Sequence, residues 1–277
     1  MGDMLDALLS PLGQSFVRRA LGAGIALSVA GALIGTFIVQ RGLGLLSDGL
    51  AHATFGGLAL GLLLGSTADR AIAVALPFTV AIALGIQYVR RHTRLGGDVA
   101  TGVFFAVSFA AGILFLGLRS PRSVPVNVEG LLFGSLLAVS PESLGVIIAV
   151  AALVIAVLAW IGPRLAYATF DPELATLSRV PVAALEDLLL ALTALVVVVG
   201  VKTVGVVLVS AFVVIPAATA SLLGRTLGGI ALLAVGLSLV GTAFGLFASY
   251  HLNVATGATI ILTLGAMFFL ALVLRRR

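Results

Sequence analysis

Long apolar runs joined by short polar turns set the pattern of this chain. Nine stretches, at roughly 18–39, 49–65, 71–89, 98–117, 141–161, 182–201, 204–223, 227–248 and 254–274, each approach the ~20 mostly apolar residues that a membrane span needs. The pattern predicts an all-α polytopic membrane protein of about nine transmembrane helices. It predicts a single transmembrane domain over 1–277, because no long polar segment leaves room for a second soluble domain or an ATPase. MGDMLDALLSPLGQSF at the start has neither a basic stretch nor a small-residue cleavage site, so it is expected to be an amphipathic lead-in rather than a cleaved signal.

Composition strengthens this picture. Of 277 residues, 61% are hydrophobic and only 10% are charged, too little polar surface for a soluble domain. Cysteine is absent, which excludes disulfides and thiolate metal sites. Glycine is abundant, and the ladder Gly57, Gly61, Gly65 suits close helix packing. The net charge of +5 would suit a nucleic-acid binder if the basic residues were clustered. They lie instead in short joints between spans, where they report topology, and no nucleic-acid partner is expected.

Placing Arg275, Arg276 and Arg277 inside puts Arg41, Arg90, Arg91, Arg94, Arg164, Arg179 and Arg225 inside as well. Arg18, Arg19, Arg70, Arg119, Arg122 and Lys202 fall outside, a preference of ten to six. The N-terminus is then outside, in a multi-pass protein of the cell membrane. Two joints stand out. RSPRSVPVNVEGLLFGS (119–135) predicts a short external helix after Asn127. PRLAYATFDPELATLSRVP (163–181) predicts a short cytoplasmic helix, with Asp171 as its cap, Pro172 in its first turn and Glu173 at its positive end. That helix is either a connector or a dock for a cytoplasmic partner.

The chemistry concentrates in SDGLAHATFGG (47–57). Asp48 and His52 are four residues apart and share one helix face. A carboxylate within hydrocarbon costs at least ~2.5 kcal/mol on insertion scales, so its presence asks for a function. Carboxylate and neutral imidazole are both ligands for zinc, manganese or iron. Three readings stand side by side: a capping Asp beside a packing His, a metal path, and a proton relay. His92, in RRHTR, reads as part of a topological loop. His251, in SYHLNVATG, stands at the outer end of the last hairpin, where it can meet an incoming cation or simply be solvated. Glu186 and Asp187 open the sixth span and read as helix-start acids in preference to a metal exit site. Pro216, in VSAFVVIPAATASLL, interrupts a helix ladder inside the membrane, by a simple kink or beside a transport path. No P-loop, His-Glu-x-x-His or Gly-x-Ser-x-Gly occurs.

Several segments together resemble the membrane permease of zinc and manganese ABC importers. QRGLGLLSDGLAHATFGGLALG resembles that family's second-helix region, with an Asp and a His four apart. TRLGGDVATGVFFAVSFAAGILFLG is similar to its next block, although Gly96, Gly97 and Asp98 stand where the family usually has a Lys-Glu-Asp run. VEGLLFGSLLAVSPESL resembles its external helix, TFDPELATLSRVP its ATPase dock, VKTVGVVLVSAFVVIPAATASLL its most distinctive stretch and SYHLNVATGATIIL its final hairpin. The likeness covers roughly 16–274.

The resemblance implies a fold like that of cobalamin and siderophore permeases without their first helix. It implies two permease copies, or one with a close relative, in membrane lipid above two ATPase subunits. An extracellular metal-binding protein would deliver the ion. ATP hydrolysis would belong to the partner, and this chain would bind no cofactor beyond the transported divalent metal. Asp48 and His52 would line a pathway on the dimer axis, with Pro216 and His251 as pathway or gating residues. Asp171, Pro172, Glu173 and Ala175 would form the dock. The competing readings are a cobalamin or siderophore cargo on the same fold, and a proton- or cation-coupled secondary carrier with no ATPase.

Overall fold

The computed structural model describes residues 13–67, 70–119 and 136–275. Ten α-helices occupy them: α1 (Ser15–Gln40), α2 (Leu46–Leu63), α3 (Ile72–His92), α4 (Gly97–Gly117), α5 (Pro141–Phe170), α6 (Pro172–Leu177), α7 (Val182–Val204), α8 (Val206–Leu223), α9 (Leu227–Leu252) and α10 (Thr256–Arg275). A 3-10 turn, Leu136–Ala138, precedes α5. The expected lead-in and external helix fall outside the described residues.

Nine long helices stand where the nine apolar runs are. Eight of them are apolar enough to cross a membrane by length and composition. The exception is α2, which carries Asp48 and His52 and has half-buried or buried residues along nearly its whole length. Its crossing follows from its neighbours. The C-terminal ends of α1, α3 and α5 meet the N-terminal end of α7 at Glu186, so α1 and α3 finish on one face of the protein. The chain between them must therefore traverse it twice, by α2 and then α3.

Burial sorts the helices into a post and a rim. Two thirds of the most apolar window of α1 is buried, against 17% for α10 and 22% for α4. α1 packs on α5, α7, α8 and α9, while α2 is wedged between α3 and α4 and touches α7 and α8. The core joins Ile34 and Ile38 of α1, Leu46 and Leu50 of α2, Leu189 of α7 and Phe212 of α8. α2 sits close because it lacks side chains at its contacts. A Cβ on Gly57 would lie 2.7 Å from Ala75 Cα, and one on Gly61 2.9 Å from Ala71 Cα. Gly65 departs from that expected ladder. Nothing lies within 4 Å of its Cβ position, and its φ of +83° ends the helix instead.

Two further expectations change. α5 does not stop near 161. It runs through Pro163 to Phe170, because Leu165 and Ala168 on its last turns are buried against the core, and that packing offsets the hydrogen bond a proline removes. The connector therefore begins at Asp171, not at 163. Likewise α8 runs unbroken through buried Pro216. The interruption in this region is Gly205, whose φ of +89° alone separates α7 from α8, a conformation glycine adopts without steric cost.

Candidate functional site

The first turn of α2 places Asp48 at the positive end of its helix, with His52 one turn on. Asp48 Oδ1 and His52 Nε2 are 3.9 Å apart, with the His side chain 23% and the Asp side chain 51% exposed. That separation is too long for a hydrogen bond. It is shorter than twice the ~2.1 Å of a typical metal–ligand bond, so one cation can touch both atoms. Among the described residues no group of three or more His, Asp or Glu gathers elsewhere to hold a metal. The pair supplies two ligands, and its exposed side leaves room for more from outside the chain.

The wall behind the pair comes from α4. The Phe105 and Phe109 rings meet the His52 ring edge-to-face at 4.6 Å and 5.4 Å. Phe55, buried on α2, packs against Phe109 at 5.2 Å. His52 Nδ1 and Ser47 Oγ are buried with no hydrogen-bond partner among the described residues.

The structure brings only part of the expected set together. Asp48 and His52 are neighbours, and Pro216 lies on α8, which packs against α2. His251 is exposed at the end of α9, edge-on to Tyr250, on a helix that packs chiefly against α1, α8 and α10. His92 is exposed and stacked on Tyr88 at 4.1 Å, in keeping with a surface loop.

At the connector, Asp171 caps α6 by accepting from the Leu174 amide at 2.9 Å, with Pro172 in the first turn. Tyr167 and Ser178 share a hydrogen bond of 3.1 Å that ties the two ends of this corner together. Glu173, Leu174 and Leu177 are exposed. Ala175 is not part of that surface: it is fully buried, because the helix turns its small residue inward against the body of the protein.

Glu186 corrects another expectation. It lies beyond the first turn of α7 and caps nothing. Arg41 Nη1 donates to its Oε1 at 2.8 Å, and Arg91 Nη2, at 3.3 Å, and Gln87 Nε2 both donate to its Oε2. Arg41 Nε also donates to Thr169 Oγ1 at 3.0 Å, and Arg91 pairs with Asp187 at 2.9 Å. Four helices are clasped by this network. Its signal in the sequence was slight: opposite charges at span ends on one side.

The description of the family model "ABC 3 transport family" matches residues 13–275. The chain belongs to the ABC 3 transport family. It is 33% identical over 257 residues to the manganese transport system membrane protein MntC of Listeria monocytogenes, covering 93% of this chain and 90% of that one. The manganese import system permease protein ScaB of Streptococcus parasanguinis is 32% identical, covering 92% and 89%. Among solved structures, PsaBC from Streptococcus pneumoniae in complex with Fab superposes with a TM-score of 0.83 at 28% identity, covering 96% of this chain and 95% of that one. The fold of this ABC 3 chain is thus that of an ABC permease. It is a multi-pass protein of the cell membrane and a permease component of an ABC transport system.

Proposed function

We propose that this ABC 3 chain carries a divalent transition metal, manganese foremost, into the cell through a path that Asp48 and His52 line. The observation that carries this reading is the Asp48–His52 geometry: two unlike metal ligands 3.9 Å apart on one buried helix. Carboxylate and imidazole donors without thiolate suit manganese, and the relatives named for manganese support the choice over zinc. A site in a conduction path has to release as well as bind, and two ligands from one chain suit that better than a closed set of four.

Two ligands are too few to replace a dehydrated cation's shell, so a second copy, or a close relative, faces this one across a twofold axis and doubles them. The Glu186 face is cytoplasmic, because Arg41, Arg90, Arg91, Arg94 and Arg275 gather at that end. α6 lies on that face as the dock for a partner ATPase, presenting Glu173, Leu174 and Leu177. A metal-binding protein delivers the ion at the opposite face.

The test is manganese uptake in cells carrying chromosomal variants. Asp48→Ala and Asp48→Asn both abolish ATP-dependent uptake while the protein stays expressed and membrane-inserted. Normal uptake in both variants would return the pair to capping and packing. Uptake that survives loss of the ATPase would favour a secondary carrier, and loss of cobalamin or siderophore uptake in place of manganese would favour the larger cargo.

A further inference from the structure

We propose that Phe105 and Phe109 of α4 are positioning residues that keep His52 a weak, quickly exchanging metal ligand. This rests on the reading of His52 as a ligand of the transported ion. A histidine that holds a metal usually donates its second ring N–H to a carboxylate, carbonyl or water, which fixes the ring and raises its basicity. His52 has no such partner among the described residues, where its Nδ1 is buried and unpaired. Its ring is held at close to right angles against two phenyl rings instead.

The aromatic wall is itself held in place. Phe105 and Phe109 are one helical turn apart, and their rings lie nearly parallel, 14° from coplanar orientation with centroids 6.2 Å apart. Both meet the imidazole at close to a right angle, 79° and 87°, the arrangement that ring quadrupoles favour. Phe55, 1% exposed, buttresses Phe109. The imidazole therefore has a set plane, with Nε2 toward Asp48, but nothing to strengthen it as a donor. A resident metal centre would be poorly served by this. A transit site, which must release its ion on every cycle, is well served.

The experiment gives α4 an acceptor or removes its flat wall. Initial rates of ATP-dependent manganese uptake are measured in proteoliposomes holding the assembled transporter, over a range of manganese concentrations. Phe109→Gln and Phe105→Gln, which offer the imidazole a carboxamide oxygen as acceptor from α4, lower the apparent KM by about tenfold, the scale on which such partners act, and lower kcat with it. Phe109→Leu and Phe105→Leu, still apolar but no longer flat, raise KM several-fold and leave kcat within about twofold. Opposite movements of KM in the two series support the proposal. Equal losses of kcat with KM unchanged in both, or no change in either, overturn it. Manganese binding to the same preparations without ATP gives a second readout if a variant turns over poorly: tighter for Gln, weaker for Leu, and equal to wild type in both if the rings are only packing. His52→Ala separates the two claims, since normal transport there would remove the metal-ligand reading itself.

Discussion

Replacing Glu186 by alanine tests the polar clasp that joins four helices at one face of the protein. Arg41 is 8% exposed at its side chain and Glu186 22%, so neither charge is well screened by water. Burial draws the Arg41 guanidinium below its usual pKa, and the Glu186 carboxylate beside it works in the opposite direction. Removing that carboxylate strands a buried cation and frees the Gln87 and Arg91 donors. Breaking one partner of a buried pair costs about 3–5 kcal/mol. At about 2–4 °C per kcal/mol for a chain of this size, the unfolding midpoint of Glu186→Ala should fall by roughly 10 °C. The assay is thermal unfolding in nanodiscs, followed by tryptophan fluorescence from Trp160 or by a thiol-free dye. The double variant Arg41→Met/Glu186→Leu should recover most of the loss, because a well-packed apolar pair often matches a buried ion pair, while Arg91 keeps Asp187. A shift under about 3 °C in Glu186→Ala, or a double variant less stable than either single one, would refute the reasoning.

Two other outcomes follow from packing and surface. Gly57→Ala sets a methyl 2.7 Å from Ala75 Cα, where backbone cannot yield; overpacking of this kind costs about 1–3 kcal/mol, and the variant should lose midpoint temperature while Gly102→Ala, facing open space, should not. Glu173→Arg on exposed α6 should weaken co-purification of the ATPase several-fold while leaving the manganese affinity of the membrane complex unchanged, and equal ATPase recovery from wild type and variant would place the dock elsewhere.

The helices were legible because burial and lipid demand the same thing of a span: about 20 apolar residues without interruption. α2 shows the limit of that rule. Among the nine long helices it alone lacks a stretch apolar enough to pass as a span by composition, and a helix enclosed by others can carry Asp48 and His52. Asp48 and His52 themselves were legible because a helical spacing of four decides their shared face. What failed was long-range. Glu186 meets partners 99 and 145 residues away, so a local rule assigned it to its own helix end. Pro216 stands inside α8, which continues through it, and the break between helices falls at Gly205. Ala175 was placed on a docking surface by its position in the motif, yet the turn of a six-residue helix sends it inward. Phe105 and Phe109 drew no notice, because a phenylalanine in an apolar run looks the same whether it faces lipid or a histidine.

The claim that two copies share one ion path is tested most directly by a covalently linked dimer of this chain in which one copy carries Asp48→Ala. Manganese uptake by the linked wild-type dimer sets the reference, and a dimer with Asp48→Ala in both copies sets the floor. If the ion is held jointly across the axis, the single substitution removes most of the transport. If uptake stays near half of the reference, each chain conducts on its own, and the shared path is wrong.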